Sequence, residues 1–197
     1  MKISNLEIKR QLFHLVLGVF TVALLHYGLI TPLIMLIGII KGLIISLFAK
    51  KYRIPVVSWF LDEFERKEDM KILPGRGAIY YAIGCFLAVY LFPKDIAIAA
   101  ILILAFGDSI SHLFGAHYGR IRHPLNDKKF LEGTLFGFLA SFAISLFFVN
   151  LPEAIFASLA AMIVEAIEIK IGANTINDNL LMPLVSGIAI SVVRILV

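Results

Sequence analysis

Residues 106–133 read FGDSISHLFGAHYGRIRHPLNDKKFLEG. The first part continues an apolar run that begins near Asp95 and carries a carboxylate, Asp108, well inside it. The second part is a basic, glycine-punctuated loop that closes on Glu132 and Gly133, at the head of the next apolar run. No other stretch sets so much charge beside so much hydrocarbon. The junction reads as a membrane helix ending in a surface loop suited to phosphate, and the expectation is a nucleotide site at a membrane surface.

The rest of the chain agrees with a membrane setting. Of its 197 residues, 60% are hydrophobic and 16% charged, with mean hydropathy +0.92, whereas soluble domains are about half apolar and about a quarter charged. The excess is spread along the sequence, which predicts one polytopic, all-α domain over 1–197. Seven spans are expected, at about 11–28, 30–49, 77–92, 95–118, 133–149, 153–170 and 179–197. Turns at Thr31-Pro32, Pro93-Lys94 and Leu151-Pro152 separate several of them. No sustained alternation suggests strands, and helices satisfy their own backbone in lipid. The single Cys85 lies in an apolar run and reads as a small buried hydrophobe. The N-terminus lacks a signal peptide's short apolar stretch and cleavage site, so the first run is expected to remain as a helix.

The basic residues orient the spans. Fifteen of the 18 Lys and Arg fall in the N-terminus, the 50–76 and 119–132 loops, or at the edge of the 171–178 loop. The opposite turns hold only Lys94. This bias places the N-terminus and the long loops in the cytoplasm and the C-terminus outside. Lys41 and Arg194 remain inside spans, Lys41 snorkelling or facing inward and Arg194 snorkelling outward. Within 54–73, Val57, Phe60, Leu61 and Phe64 share a helical face, which predicts an amphipathic helix on the leaflet or packed on the protein.

Polar groups in or beside the spans converge on that cytoplasmic end. They are His14, Arg76, Asp108, Ser111, His112, Glu132, Glu165, Glu168, Asn174, Asn177, Asp178 and Asn179. Ionisable groups within spans mark functional sites by default. Asp108 lies roughly 15 Å before its helix end, where a divalent metal or a basic neighbour such as Lys41 would offset its burial. Magnesium takes few protein carboxylates and completes its shell with water and phosphate oxygens. His112 shares the face of Asp108, as a partner of that carboxylate or as a proton-transfer group. Gly107, Ser111, Gly115 and Gly119 recur every four residues, the spacing of close helix packing, and Gly119 also suits a helix end. Arg120, Arg122, Lys128 and Lys129 suit either lipid headgroups or a triphosphate. Glu165 and Glu168 share a face, and Asp178-Asn179 can cap the last helix. P-loop and Rossmann fingerprints are both absent.

FGDSISHLFGAHYGR followed by KKFLEGTLFG resembles the signature of the CTP-dependent polyprenol kinases, the group that includes dolichol kinase, phytol kinase and the CTP-dependent diacylglycerol kinase. Gly107-Asp108, Gly115, Gly119, Lys129 and Glu132-Gly133 match, with Phe130 where a hydroxyl residue is usual. KRQLFH is similar to the family's R-K-x-x-H element, with Arg10 and His14 in place. PGRGAIYYAIG resembles its glycine-led region. EAIE with DNLLMPLVSG resembles its late element through Glu165, Asp178, Asn179 and Pro183. The resemblance runs in order along nearly the whole chain. It implies CTP as donor, Mg2+ or another divalent cation, and a lipid alcohol as acceptor.

The expected activity is transfer of the γ-phosphate of CTP to the hydroxyl of a polyprenol or dolichol-type alcohol, at the cytoplasmic face of a prokaryotic cell membrane. Asp108, Asp178 and Glu132 are expected around the metal. Asp108, Asp178, His112 and Glu165 are expected to act in catalysis. Arg76, Gly115, Gly119, Arg120, Lys128, Lys129, Glu132, Gly133 and Asn179 are expected at the nucleotide, with Arg10 and His14 nearby. The partners are the bilayer, CTP and the alcohol, with no nucleic acid, and an oligomer is compatible with this reading. One alternative is a cytidylyltransferase making a CDP-activated lipid such as CDP-archaeol or CDP-diacylglycerol, although its usual late signature is absent. The other is a small proton-coupled transporter, which requires polar groups through to the outer side, where few occur.

Overall fold

A computed structural model describes residues 4–167, 170–171 and 174–197. The chain forms α1 (Asn5–His26), α2 (Pro32–Ala49), α3 (Pro55–Phe64), α4 (Lys67–Ile72), α5 (Arg76–Leu91) and α6 (Lys94–Tyr118). There follow β1 (Arg122–His123), β2 (Asn126–Phe130), α7 (Leu131–Ser145), α8 (Leu151–Ala166), β3 (Lys170–Ile171), β4 (Asn174–Thr175) and α9 (Asp178–Leu196).

Each expected span meets one helix. The first starts earlier than expected, at Asn5, because Ser4 caps it by accepting the Glu7 N–H. The sixth stops at Ala166, before residue 170, with Ile167 extended beyond it. By length and composition, α1, α2, α6 and α9 can cross a membrane. The helices α5, α7 and α8 have 16, 15 and 16 residues, or about 24 Å at 1.5 Å per residue against a hydrocarbon core of about 30 Å. The chain is mostly helical, as expected of an all-α membrane protein, and short strands appear in two of its loops. Two antiparallel hairpins, β1–β2 and β3–β4, occupy the 119–132 and 171–178 loops. Strands of two to five residues are too short to leave an alternating pattern.

Helix α6 is the axis of the bundle. From Ile96 to Ala105 every residue is buried. Gly107 and Gly115 bring it close to α7. A Cβ at Gly133 would lie 2.6 Å from the Ser111 carbonyl oxygen, and one at Gly137 would lie 2.7 Å from that of Gly107. Small residues at four-residue spacing thus serve helix packing. On the other side, Ser109 donates to the Gln11 carbonyl at 3.0 Å and ties α6 to α1. Pro183 within α9 deprives the Asn179 carbonyl of its usual helical donor, and Gly84 on α5 leaves that carbonyl room that a Cβ would fill.

The amphipathic segment is α3, and its apolar face packs on the protein. Phe60 and Phe64 lie 4.9 and 5.3 Å from the Phe13 ring, while Val56 and Trp59 face outward. Arg194 does not simply snorkel. Its guanidinium donates to Glu153 at 2.7 and 3.2 Å and pairs with Asp95 at 2.8 Å, joining α9, α8 and α6 at one end of the bundle.

Candidate functional site

The opposite end of the bundle encloses a polar cavity of about 250 Å3. The first turns of α1 supply Arg10, Gln11 and His14. The approach to α5 supplies Arg66, Asp69, Arg76 and Gly77. From the far half of α6 come Asp108 and His112, from β2 Lys129, and from the end of α8 Glu165. Asn177, Asp178 and Asn179 enter at the head of α9.

Asp108 is 5% exposed. Its Oδ1 lies 3.3 Å from His112 Nδ1 and its Oδ2 lies 3.8 Å from His14 Nδ1. The basic neighbours offsetting its burial are therefore two histidines, and Lys41 stays exposed on α2. His112 Nδ1 also lies 3.6 Å from Glu165 Oε1. Glu165, 2% exposed, accepts from Ser111 at 3.0 Å and from Lys129 Nζ at 2.7 Å. Lys129 donates to the Glu165 backbone carbonyl as well and stands 3.8 Å from Asp178. Burial alone would lower the Lys129 pKa, but the Glu165 and Asp178 carboxylates outweigh it and hold it above the ordinary lysine value.

The cations at the rim are also oriented. Glu7 accepts from Arg10, Arg66 and Gln11, each at 2.9 Å. Arg76 lies 3.7 Å from Asp69. Asn177 caps α9 by accepting the Asn179 N–H at 3.0 Å, and Asp178 accepts the same N–H. The cap expected of Asp178-Asn179 therefore falls mainly to the preceding residue. The Asn179 amide then projects an oxygen with no partner.

Donor atoms of Asp108, His112 and Glu165 lie within 4.8 Å of one another. Asp108 Oδ1 and Glu165 Oε2 are buried without a hydrogen-bond partner. Unsatisfied buried carboxylate oxygens are costly, and they are the hard donors that a divalent cation takes. The residues therefore fit such an ion, with Asp178 beside them.

Other expected residues lie elsewhere. Glu132 does not line the cavity. Its carboxylate accepts the backbone N–H groups of Arg120 and Ile121 at 3.0 and 3.1 Å, closing the hairpin onto α7. Gly115 and Gly133 are packed against each other, and Gly119 lies over the Phe130 ring, which a Cβ there would strike. Phe130 also carries the Arg122 guanidinium 4.3 Å above its ring, so an aromatic at this position anchors the hairpin. Arg120 and Lys128 lie on the hairpin outside the cavity. The side chains of Glu168 and Asn174 fall outside the described residues.

Gln11, Arg66 and Asp69 line the cavity, and Glu7 orients its rim, though none stood out in the sequence. Gln11 carried a usable signal, because it precedes His14 by three residues and shares its helical face. Arg66 and Asp69 sit in a charge-rich segment whose local sequence gives no reason to single them out.

No protein-family model matches the chain, and no solved structure matches it at a significant level. Among curated proteins, an uncharacterized protein of Methanocaldococcus jannaschii is 37% identical over 194 residues, 94% of this chain and 93% of that one. A probable chloroplastic phytol kinase 1 of Glycine max is 28% identical over 126 residues, 55% of this chain and 41% of that one. A CTP-dependent diacylglycerol kinase 1 of Eremothecium gossypii is 25% identical over 146 residues, 70% of this chain and 44% of that one. The matches to these two kinases thus span less than half of their length.

Proposed function

We infer the reaction from the family and the cavity together: the chain belongs to the CTP-dependent polyprenol and lipid kinase family, and it phosphorylates the hydroxyl of a membrane-resident isoprenoid alcohol with CTP. The observation that carries this reading is the convergence of Arg10, Arg66, Arg76 and Lys129 with Asp108, Glu165 and Asp178 in one cavity at the end of a membrane bundle. Phosphoryl transfer demands mainly positioning and charge stabilisation, and this set supplies both.

In this reading the arginines and Lys129 receive the triphosphate. Arginine forks suit phosphate oxygens, and lysine acts as a point charge. Asp108 and Glu165 would hold a divalent cation, with Asp178 adjacent, and the ion would neutralise charge on the phosphates. His112 Nδ1, facing two carboxylates, holds its proton between them and orients Asp108 and Glu165. Asp178 accepts the Asn179 N–H through Oδ1, and its Oδ2 faces Lys129 at 3.8 Å; it is assigned the proton of the acceptor hydroxyl. The hydroxyl oxygen bonds to the γ-phosphorus, the bond from that phosphorus to the β-bridging oxygen breaks, and CDP leaves with the electron pair. The bias of basic residues toward the loops at this end supports a cytoplasmic face for the cavity, and the Methanocaldococcus jannaschii relative supports a prokaryotic membrane.

The test is transfer of radiolabel from CTP to prenols in lipid nanodiscs. The γ-label is expected in the lipid product and the α-label is expected to stay in CDP. Incorporation of α-label would replace the kinase with a cytidylyltransferase, and incorporation of neither would overturn the reading.

A further inference from the structure

A second cavity, of about 290 Å3, opens between α1, α2 and α5. Its wall is apolar, from Leu17, Ile39 and Cys85, with the Tyr81 ring at its side. Thr21 brings a hydroxyl, but that group is satisfied by donation to the Leu17 carbonyl at 2.8 Å. On α2, Gly38 and Gly42 face it four residues apart, and a Cβ at either would meet nothing within 4 Å.

The two cavities are stacked end to end on the same two helices. On α5, Arg76 and Gly77 line the polar cavity and the next residues, Ala78 and Ile79, line the apolar one. On α1 the change falls between His14 and Leu17, less than one turn apart. Tyr81 lines the apolar cavity beside His14 of the polar one. Its ring centroid is 5.0 Å from that of His14, its side chain lines the groove, and its hydroxyl is buried without a partner.

We propose that the groove between α1, α2 and α5 is the subsite for the hydrocarbon tail of the acceptor alcohol, and that it delivers the hydroxyl past Tyr81 and His14 to Asp108. This rests on the kinase reading above. The occupant is a flexible, uncharged chain with one polar end, because the groove is apolar along its length and turns polar at only one end. A third cavity, of about 430 Å3, lies between α7, α8 and the first hairpin. It is the competing candidate, since α7 and α8 wall it equally and α8 also gives Glu165 to the polar cavity, and photolabelling separates the two.

The test is photolabelling of the full chain in nanodiscs with a diazirine-bearing long-chain prenol, mapped by mass spectrometry. Labelling is expected on peptides containing Gly38–Gly42 and Ala78–Cys85 and is expected to be displaced by unlabelled prenol. It should fall about tenfold in Gly38→Phe or Gly42→Phe and be unchanged in Leu135→Phe, which narrows the third cavity. Labelling confined to α7 and α8, or equal labelling by a diazirine alkane without a hydroxyl, would overturn the proposal. Failure of the kinase reading has a separate signature: no γ-phosphate reaches prenol in the wild type, whatever peptides are labelled.

Discussion

Replacing Asp108 with asparagine separates catalysis from folding. The substitution keeps the shape of a side chain that is 5% exposed and removes its charge. At an effective dielectric of about 20, unit charges at the separations from His112 and His14, 3.3 and 3.8 Å, attract by roughly 4–5 kcal/mol each at most. Against this stands the desolvation of a buried carboxylate, several kcal/mol after relaxation. Desolvation offsets only part of these attractions, so Asp108→Asn is expected to cost about 3–5 kcal/mol of stability, as for a broken buried pair, which the unfolding measurement reads separately from turnover. Transfer itself has no such compensation. Loss of one preorganised charged group at a reacting centre costs about 100- to 1,000-fold, or roughly 2.7–4 kcal/mol. The assay is γ-labelled CTP turnover in nanodiscs, paired with thermal unfolding of the same sample. Asp127→Asn, on the exposed hairpin, is the control. A folded Asp108→Asn protein with near-normal turnover would refute the placement of Asp108 at the reaction.

Other perturbations address separate parts of the molecule. Lys129→Met is expected to cut turnover about 100-fold, with only partial recovery in Lys129→Arg, because a planar fork does not fill a point-charge site; full activity in the Met variant would remove Lys129 from the phosphate site. Because the Lys129 pKa is raised above the ordinary 10.5, the stability it contributes should be fully present below about pH 10 and fade only as pH rises through the folded value. Thermal unfolding of wild type and Lys129→Met across pH checks that sign. Arg194→Met strands Glu153, 2% exposed, and is expected to cost about 2–3 kcal/mol, less than a fully buried pair because Arg194 is itself partly exposed. Its KM for CTP is expected to be unchanged, and a shifted KM with intact stability would contradict a purely structural clamp. Gly137→Leu drives a side chain into the Gly107 carbonyl, 2.7 Å from the first added carbon, and should unfold the bundle or abolish its purification as a folded species.

What the sequence made legible followed from strong local signals. Seven apolar runs each became a helix because lipid leaves the backbone few other solutions. Asp108, Glu165, Asp178, His14 and Arg76 were readable as a group because charge in apolar helices is costly and all of them lie toward one end. Side-chain direction was not readable. Glu132 and Asp108 both look like metal acids in one dimension, yet Glu132 turns to the Arg120 and Ile121 amides. The glycines at 115, 119 and 133 look equally like a phosphate loop and like a packing seam, and only the distance across α6 and α7 tells the two apart. Arg66 reaches the cavity through Glu7, fifty-nine positions away, a pairing that no local pattern encodes. The hairpin in the basic loop depends on Phe130 packing beneath Gly119 and Arg122, a contact formed only after the chain has turned.

The two ends of the bundle treat buried charge in opposite ways, and the contrast distinguishes a ligand site from a structural network. At the Arg194 end, Glu153 receives two guanidinium bonds and the Asn150 N–H, so that both of its carboxylate oxygens are paired within a closed capping box. At the other end, among the described residues, five of the eight buried polar side-chain atoms without a hydrogen-bond partner belong to residues lining one cavity: Gln11, His14, Asp108, Glu165 and Asn179. Folding alone favours the first arrangement, since each unsatisfied buried group costs about 1–3 kcal/mol. A bundle that closes one network completely can form satisfied ion pairs between its helices. Its retention of open donors and acceptors at the other end, beside four cations, is accounted for by a charged ligand that completes them. The prediction that follows is thermodynamic. CTP with a divalent cation should raise the unfolding temperature of the wild-type chain, and this rise should be lost in Asp108→Asn while persisting in Arg194→Met. An equal rise in all three proteins would mean that the nucleotide binds elsewhere.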